Sequence, residues 1–74
     1  MQVIEEGRIK GGFNGFKDEK TIFEMQNGSK WQQSEYKYQY HYEFMPQVKI
    51  IEDLGSYYLV VDSMNDRVLV QKYK

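Results

Sequence analysis

The sequence predicts a small all-β domain, and three observations carry that prediction. Turn-forming residues at Gly11-Gly12, Asn14-Gly15, Asn27-Gly28, Pro46, Gly55 and Asn65-Asp66 interrupt the chain so often that no long amphipathic helix fits between them. The intervening segments have the length of strands, and several alternate polar and apolar residues with a period of two. The strictest alternation runs from Tyr36 to Phe44, where five aromatics take every second position. A chain of 74 residues holds one core, so residues 1–74 read as a single β domain.

The first strand is expected from about Val3 to Phe13, bent at Gly7 and Gly11-Gly12, where a missing side chain permits a bulge or a corner. Thr21 to Met25 follows, with Phe23 and Met25 turned inward on one face. Asn27-Gly28 tolerates the positive φ angles of a type I′ hairpin turn, so a partner strand begins near Lys30 and carries Trp31 as an anchor for the core or for an adjacent groove. Along the next strand Tyr36, Tyr38, Tyr40, Tyr42 and Phe44 line one side, while Lys37, Gln39, His41 and Glu43 line the other. Each tyrosine hydroxyl needs a partner or water, so such a row suits a half-wet surface better than a dry core. Pro46 cannot donate to a central ladder and ends this strand. Val48, Ile50 and Ile51 begin another strand, closed by Gly55. Tyr57 to Asp62 is apolar on both faces and is expected at the centre of a sheet, paired as a hairpin with Val68-Leu69-Val70.

Five to six antiparallel strands in meander order, with a glycine-bent first strand, predict a small SH3-like barrel or roll, because closure removes exposed strand edges. An OB-like barrel and a curved open sheet that pairs between subunits are the alternatives. Covalent support is absent, since the sequence has no cysteine, and a chain this short buries only roughly 60% of its unfolded surface. Association is the remaining source of stability, and a homo-oligomer is therefore expected. Ten basic against eleven acidic side chains exclude a global basic field. The N-terminus, Met1-Gln2-Val3-Ile4-Glu5-Glu6, lacks the basic and long apolar regions of a signal peptide, and no apolar run is long enough to span a bilayer. The expected location is cytoplasmic.

One stretch resembles a known group of sequences. Thr21 to Gln33 contains Asn27-Gly28-Ser29-Lys30-Trp31-Gln32-Gln33, and after it come the alternating tyrosines, Pro46 with Val48-Lys49-Ile50, and Tyr57-Tyr58-Leu59-Val60-Val61. This order is similar to a family of uncharacterised small bacterial domains, some of them from mobile gene cassettes, over roughly residues 13 to 72. The resemblance implies the β fold and one domain. It implies no substrate, cofactor or catalytic residue.

Chemical signatures are correspondingly sparse. His41, the only histidine, lies on the polar side of its strand and reads as a solvated residue. Gly11-Gly12-Phe13-Asn14-Gly15 lacks the helix start and the Lys-Ser/Thr ending of a phosphate loop. Glu5-Glu6, Asp18-Glu19 and Glu52-Asp53 are adjacent pairs whose side chains point to opposite faces, so none forms a chelating pair by spacing. No enzyme, metal or cofactor is expected. Trp31, Tyr36, Tyr38, Tyr40 and Tyr42 are the candidate binding residues of a protein-protein or self-association module, because large amphipathic rings bind at low entropic cost. The alternative is single-stranded nucleic acid, stacked on the same rings with Lys30, Lys37 and Lys49 near its phosphates.

Overall fold

Strands that place Val, Ile, Leu or an aromatic at alternate positions can bury one face, and this chain does so repeatedly. The computed structural model describes residues 1–73 and contains eight strands: β1 (Gln2–Arg8), β2 (Gly12–Phe16), β3 (Ile22–Glu24), β4 (Lys30–Gln33), β5 (Gln39–Phe44), β6 (Gln47–Asp53), β7 (Ser56–Val61) and β8 (Asp66–Lys72). Six form an antiparallel sheet in the order β1-β6-β7-β8-β4-β3, and β2 pairs with β5 in a separate antiparallel ribbon. Among the described residues there is no helix, hence none long and apolar enough to cross a membrane.

The apolar meander is the best expressed part of the sequence pattern. β7 lies between β6 and β8, with Leu59 and Val61 fully buried, as its two-sided apolarity predicts. Its turn from β6 uses Leu54 and Gly55, both at positive φ (53° and 84°), which makes this the two-residue hairpin loop of the molecule. Asn27-Gly28 also makes a hairpin, but not the type I′ turn expected. Gly28 N donates to Met25 O and Met25 N to Ser29 O, and only Gly28 has positive φ (95°), so the loop has three residues and closes on a glycine bulge.

Architecture departs from the expectation in three respects. There are eight strands rather than five or six, and the first predicted strand is broken into β1 and β2. The order is not a meander throughout, since β1 pairs with β6, β4 with β8 and β2 with β5. Nor does the sheet close into a barrel. Its edges β1 and β3 meet only around an Ile9–Met25 bridge, with Lys10 N donating to Glu24 O (2.8 Å) and Gln26 N to Arg8 O (2.9 Å). Gly11, at φ 76°, then carries the chain out of that sheet and into the ribbon.

The ribbon is fastened by phenylalanines. Phe13 and Phe16 of β2 pack on each other and on Phe23 of β3, with centroids 6.0 to 6.3 Å apart, and all three are buried. Burial of each such ring contributes about 1.5–3 kcal/mol. Val48, Ile50, Leu59, Val61, Val68 and Val70 complete the same core from β6, β7 and β8.

Candidate interaction site

A strand with one apolar face normally turns that face inward, yet β5 does the reverse. Tyr36 is 69% exposed, Tyr38, Tyr40 and Phe44 are each 65% exposed, and Tyr42 is 56% exposed. The alternation begins before β5 itself, because Tyr36 and Tyr38 lie in the unpaired segment leading into it. Tyr42 is the least exposed since its ring lies over Gly12, where an added Cβ would sit 3.3 Å from a ring carbon.

The opposite side of the strand explains this inversion, because its polar residues are tied to the body of the molecule. Lys37 Nζ donates to Asp66 Oδ1 (2.8 Å) and to Arg67 O (2.7 Å) at the start of β8. Bonding from Lys37 holds the Asp66 carboxyl below its ordinary value despite some burial. His41 is half-buried rather than solvated, with Nε2 3.3 Å from both Glu43 Oε1 and Ser63 Oγ. Ser63 Oγ donates directly to Glu43 Oε1, and that bond is the main cause of a lowered Glu43 pKa. Gln33, fully buried, anchors the lead-in segment: its Nε2 donates to Glu35 O (2.9 Å) and Lys37 O (3.1 Å), while its Oε1 accepts from Lys17 N (3.1 Å). Polar anchors below therefore leave the rings above, facing solvent.

The Ser63, His41 and Glu43 trio has the residue types of a nucleophilic triad but not its wiring. In such a triad the serine meets one imidazole nitrogen and the carboxylate orients the other. Here both contacts fall on Nε2, and the serine hydroxyl goes to the carboxylate itself. The arrangement fastens β5 to the β7–β8 loop.

Backbone geometry leaves β5 with one free side. Among the described residues β5 pairs with β2 alone, and main-chain bonds from Gln39 to Phe44 reach no other element. Gly15, at φ 93°, brings β2 so close that a Cβ there would lie 2.1 Å from Gln39 O and 2.7 Å from His41 N. Those groups therefore point toward β2, as does Met45 N, which donates to Gly11 O (2.9 Å). By alternation, the amides and carbonyls of Tyr40, Tyr42 and Phe44 point to the open edge.

Trp31 is placed elsewhere. Its ring is 4% exposed, tilted against Tyr57 at 5.6 Å, with its Nε1 donating to Glu5 Oε1 (3.2 Å) and Lys72 Nζ 4.9 Å from its centroid. It is a core anchor outside the tyrosine row. One member of each acidic pair is engaged: Glu5 also accepts from Asn27 and Ser29, Asp18 Oδ1 accepts from Lys20 N, and Asp53 faces Arg67 at 3.3 Å. Phe44 completes the exposed row and was visible in its period of two. Gln33 and Ser63 carried no comparable signal, because one polar residue in a strand or a loop looks like any other. Compared with family models, curated proteins and solved structures, the chain matches none.

Proposed function

We propose that the protein is a non-enzymatic interaction module that associates with a second copy of itself through the aromatic face of β5. One observation carries this reading: the five alternating aromatics of β5 and its lead-in segment are 56–69% exposed while polar residues between them are anchored to the body of the molecule. At about 150–250 Å² per ring, the exposed part amounts to roughly 600 Å² per copy, and a second copy aligned with the row covers the ring sides that face it. A net charge of −1 gives two copies little reason to repel. The scaffold is best described as an open SH3-like roll. The resemblance to small bacterial cassette-borne domains fits this reading, since the shared positions include the aromatic row.

Nucleic-acid stacking uses the same rings but has weaker phosphate partners. Lys37 is bound to Asp66 and Arg67, Lys49 lies 3.7 Å from Asp62, and Lys30 sits on β4 beside the buried Trp31. Light scattering across a wide concentration range tests the proposal. The expected result is a concentration-dependent dimer that Tyr38→Ser combined with Tyr42→Ser dissociates without unfolding. A wild-type chain that stays monomeric throughout refutes it, and salt-sensitive fluorescence quenching by a single-stranded oligonucleotide would then favour the stacking reading.

A further inference from the structure

We infer, building on the self-association reading above, that the second copy adds to the open edge of β5, with two β5 strands antiparallel about a two-fold axis at Tyr40. The two ribbons then become one continuous sheet in the order β2-β5-β5-β2. A two-fold interface brings the same patch of both copies together, so the patch must be complementary to itself when its direction is reversed.

The edge meets the hydrogen-bonding requirement. Tyr40, Tyr42 and Phe44 direct their main-chain groups outward, and these are the groups an added antiparallel strand would bond. Nothing on the strand blocks such pairing: residues 39–44 include no proline and no lysine, the usual guards of a free edge. Pro46 stands just beyond it.

Sequence symmetry then selects the register. With the axis at Tyr40, Tyr36 lies opposite Phe44 of the partner subunit, Tyr38 opposite Tyr42 of the partner subunit, and Tyr40 opposite itself, so every ring of the row faces another ring. On the other side Lys37 lies opposite Glu43 of the partner subunit and Gln39 opposite His41 of the partner subunit, with no like charges opposed. Other axes do worse. An axis at His41 sets Pro46 opposite Tyr36, and one at Tyr42 sets it opposite Tyr38, where proline has no N–H to give. Axes at Gln39 or Tyr38 bring Ser34 opposite Phe44 or Tyr42 and leave a ring unmatched. The lead-in residues Tyr36 and Tyr38, unpaired within one chain, become strand when the copies join.

Single cysteines read the register directly, because the native sequence has none. Directly opposed residues of an antiparallel pair have Cα atoms about 4.5–5.5 Å apart, within the span of a disulfide. Full-length Tyr38→Cys, Tyr40→Cys and Tyr42→Cys are equilibrated with oxidised glutathione, which takes up the two electrons released by each thiol pair, and resolved without reductant. Circular dichroism confirms that each is folded, as substitution of exposed rings predicts. Tyr40→Cys alone should form a covalent dimer. Tyr38→Cys and Tyr42→Cys should each stay unlinked alone and link when mixed. Equal linking by all three, or self-linking by Tyr42→Cys in preference to Tyr40→Cys, overturns the register while leaving self-association intact. A wild-type chain that is monomeric by light scattering removes both.

Discussion

At the scale of single residues, two loop and strand positions make opposite demands on the same backbone region. Gly15 has φ 93°, and a Cβ there would meet Gln39 O at 2.1 Å, a main-chain atom that cannot move without parting β2 from β5. Gly15→Ala should therefore cost on the order of 2–4 kcal/mol, combining left-handed strain with a clash against backbone. Leu54 presents the reverse case: it holds φ 53° in the β6–β7 turn while its side chain is 98% exposed and gains nothing from packing. Asparagine tolerates that conformation far better, so Leu54→Asn should stabilise by about 0.5–1 kcal/mol. Urea unfolding of both variants checks the pair, and the prediction fails if their midpoints move in the same direction. The glycine's environment was legible in the sequence only as a turn signal. Its contact with residues far along the chain depends on which strand β2 chooses, and composition does not encode that choice.

At the scale of elements, one carboxylate adds to the main-chain bonds that hold β1 to the β3–β4 hairpin. Burial alone would raise the Glu5 pKa, but bonds from Ser29, Asn27 and Trp31, with the charge of Lys72, outweigh it and hold the group below its ordinary 4.5. The sign of the linkage follows. The unfolded carboxyl takes up a proton before the folded one does, so Glu5 contributes full stability above its ordinary pKa, and that contribution is lost as pH falls through the depressed folded value. Urea midpoints of wild type and Glu5→Gln should lie furthest apart near neutrality and converge as pH falls below the ordinary 4.5 and through the depressed folded value, where both carry a neutral side chain. A constant gap would mean that the carboxylate charge contributes nothing to the clasp. Element faces were largely readable beforehand: Phe23, Met25, Leu59 and Val61 are buried, and within β5 Tyr40, Tyr42 and Phe44 alternate with less exposed His41 and Glu43. Pairing partners were not. A period of two states which side chains go together, but not that β1 pairs with β6 or β2 with β5 across long stretches of chain.

At the scale of the whole molecule, the proposed association predicts that stability and self-assembly are linked. The core is small, no disulfide supports it, and β5 is attached by a two-stranded ribbon that would be marginal by itself. The row was legible as a surface from its hydroxyls, yet Trp31 was grouped with it because an aromatic in a strand gives no sign of which way its ring turns. Its indole instead bonds Glu5, while Tyr40, Tyr42 and Phe44 stay exposed along β5 and Tyr36 and Tyr38 in the segment before it. Adding a second copy along β5, if it occurs as proposed, favours the folded chain by mass action. Where unfolding and dissociation are one step, the thermal midpoint should rise by roughly 5–10 °C for each hundredfold increase in chain concentration, as expected for a domain of this size. Tyr38→Ser combined with Tyr42→Ser should remove that dependence, bringing the wild-type and variant midpoints together at high dilution, because both positions are more than half exposed within the single chain. Differential scanning calorimetry over that concentration range decides the point. A wild-type midpoint independent of concentration would mean that the folded chain stands alone and that its exposed aromatics do not stabilise it through contact with a copy.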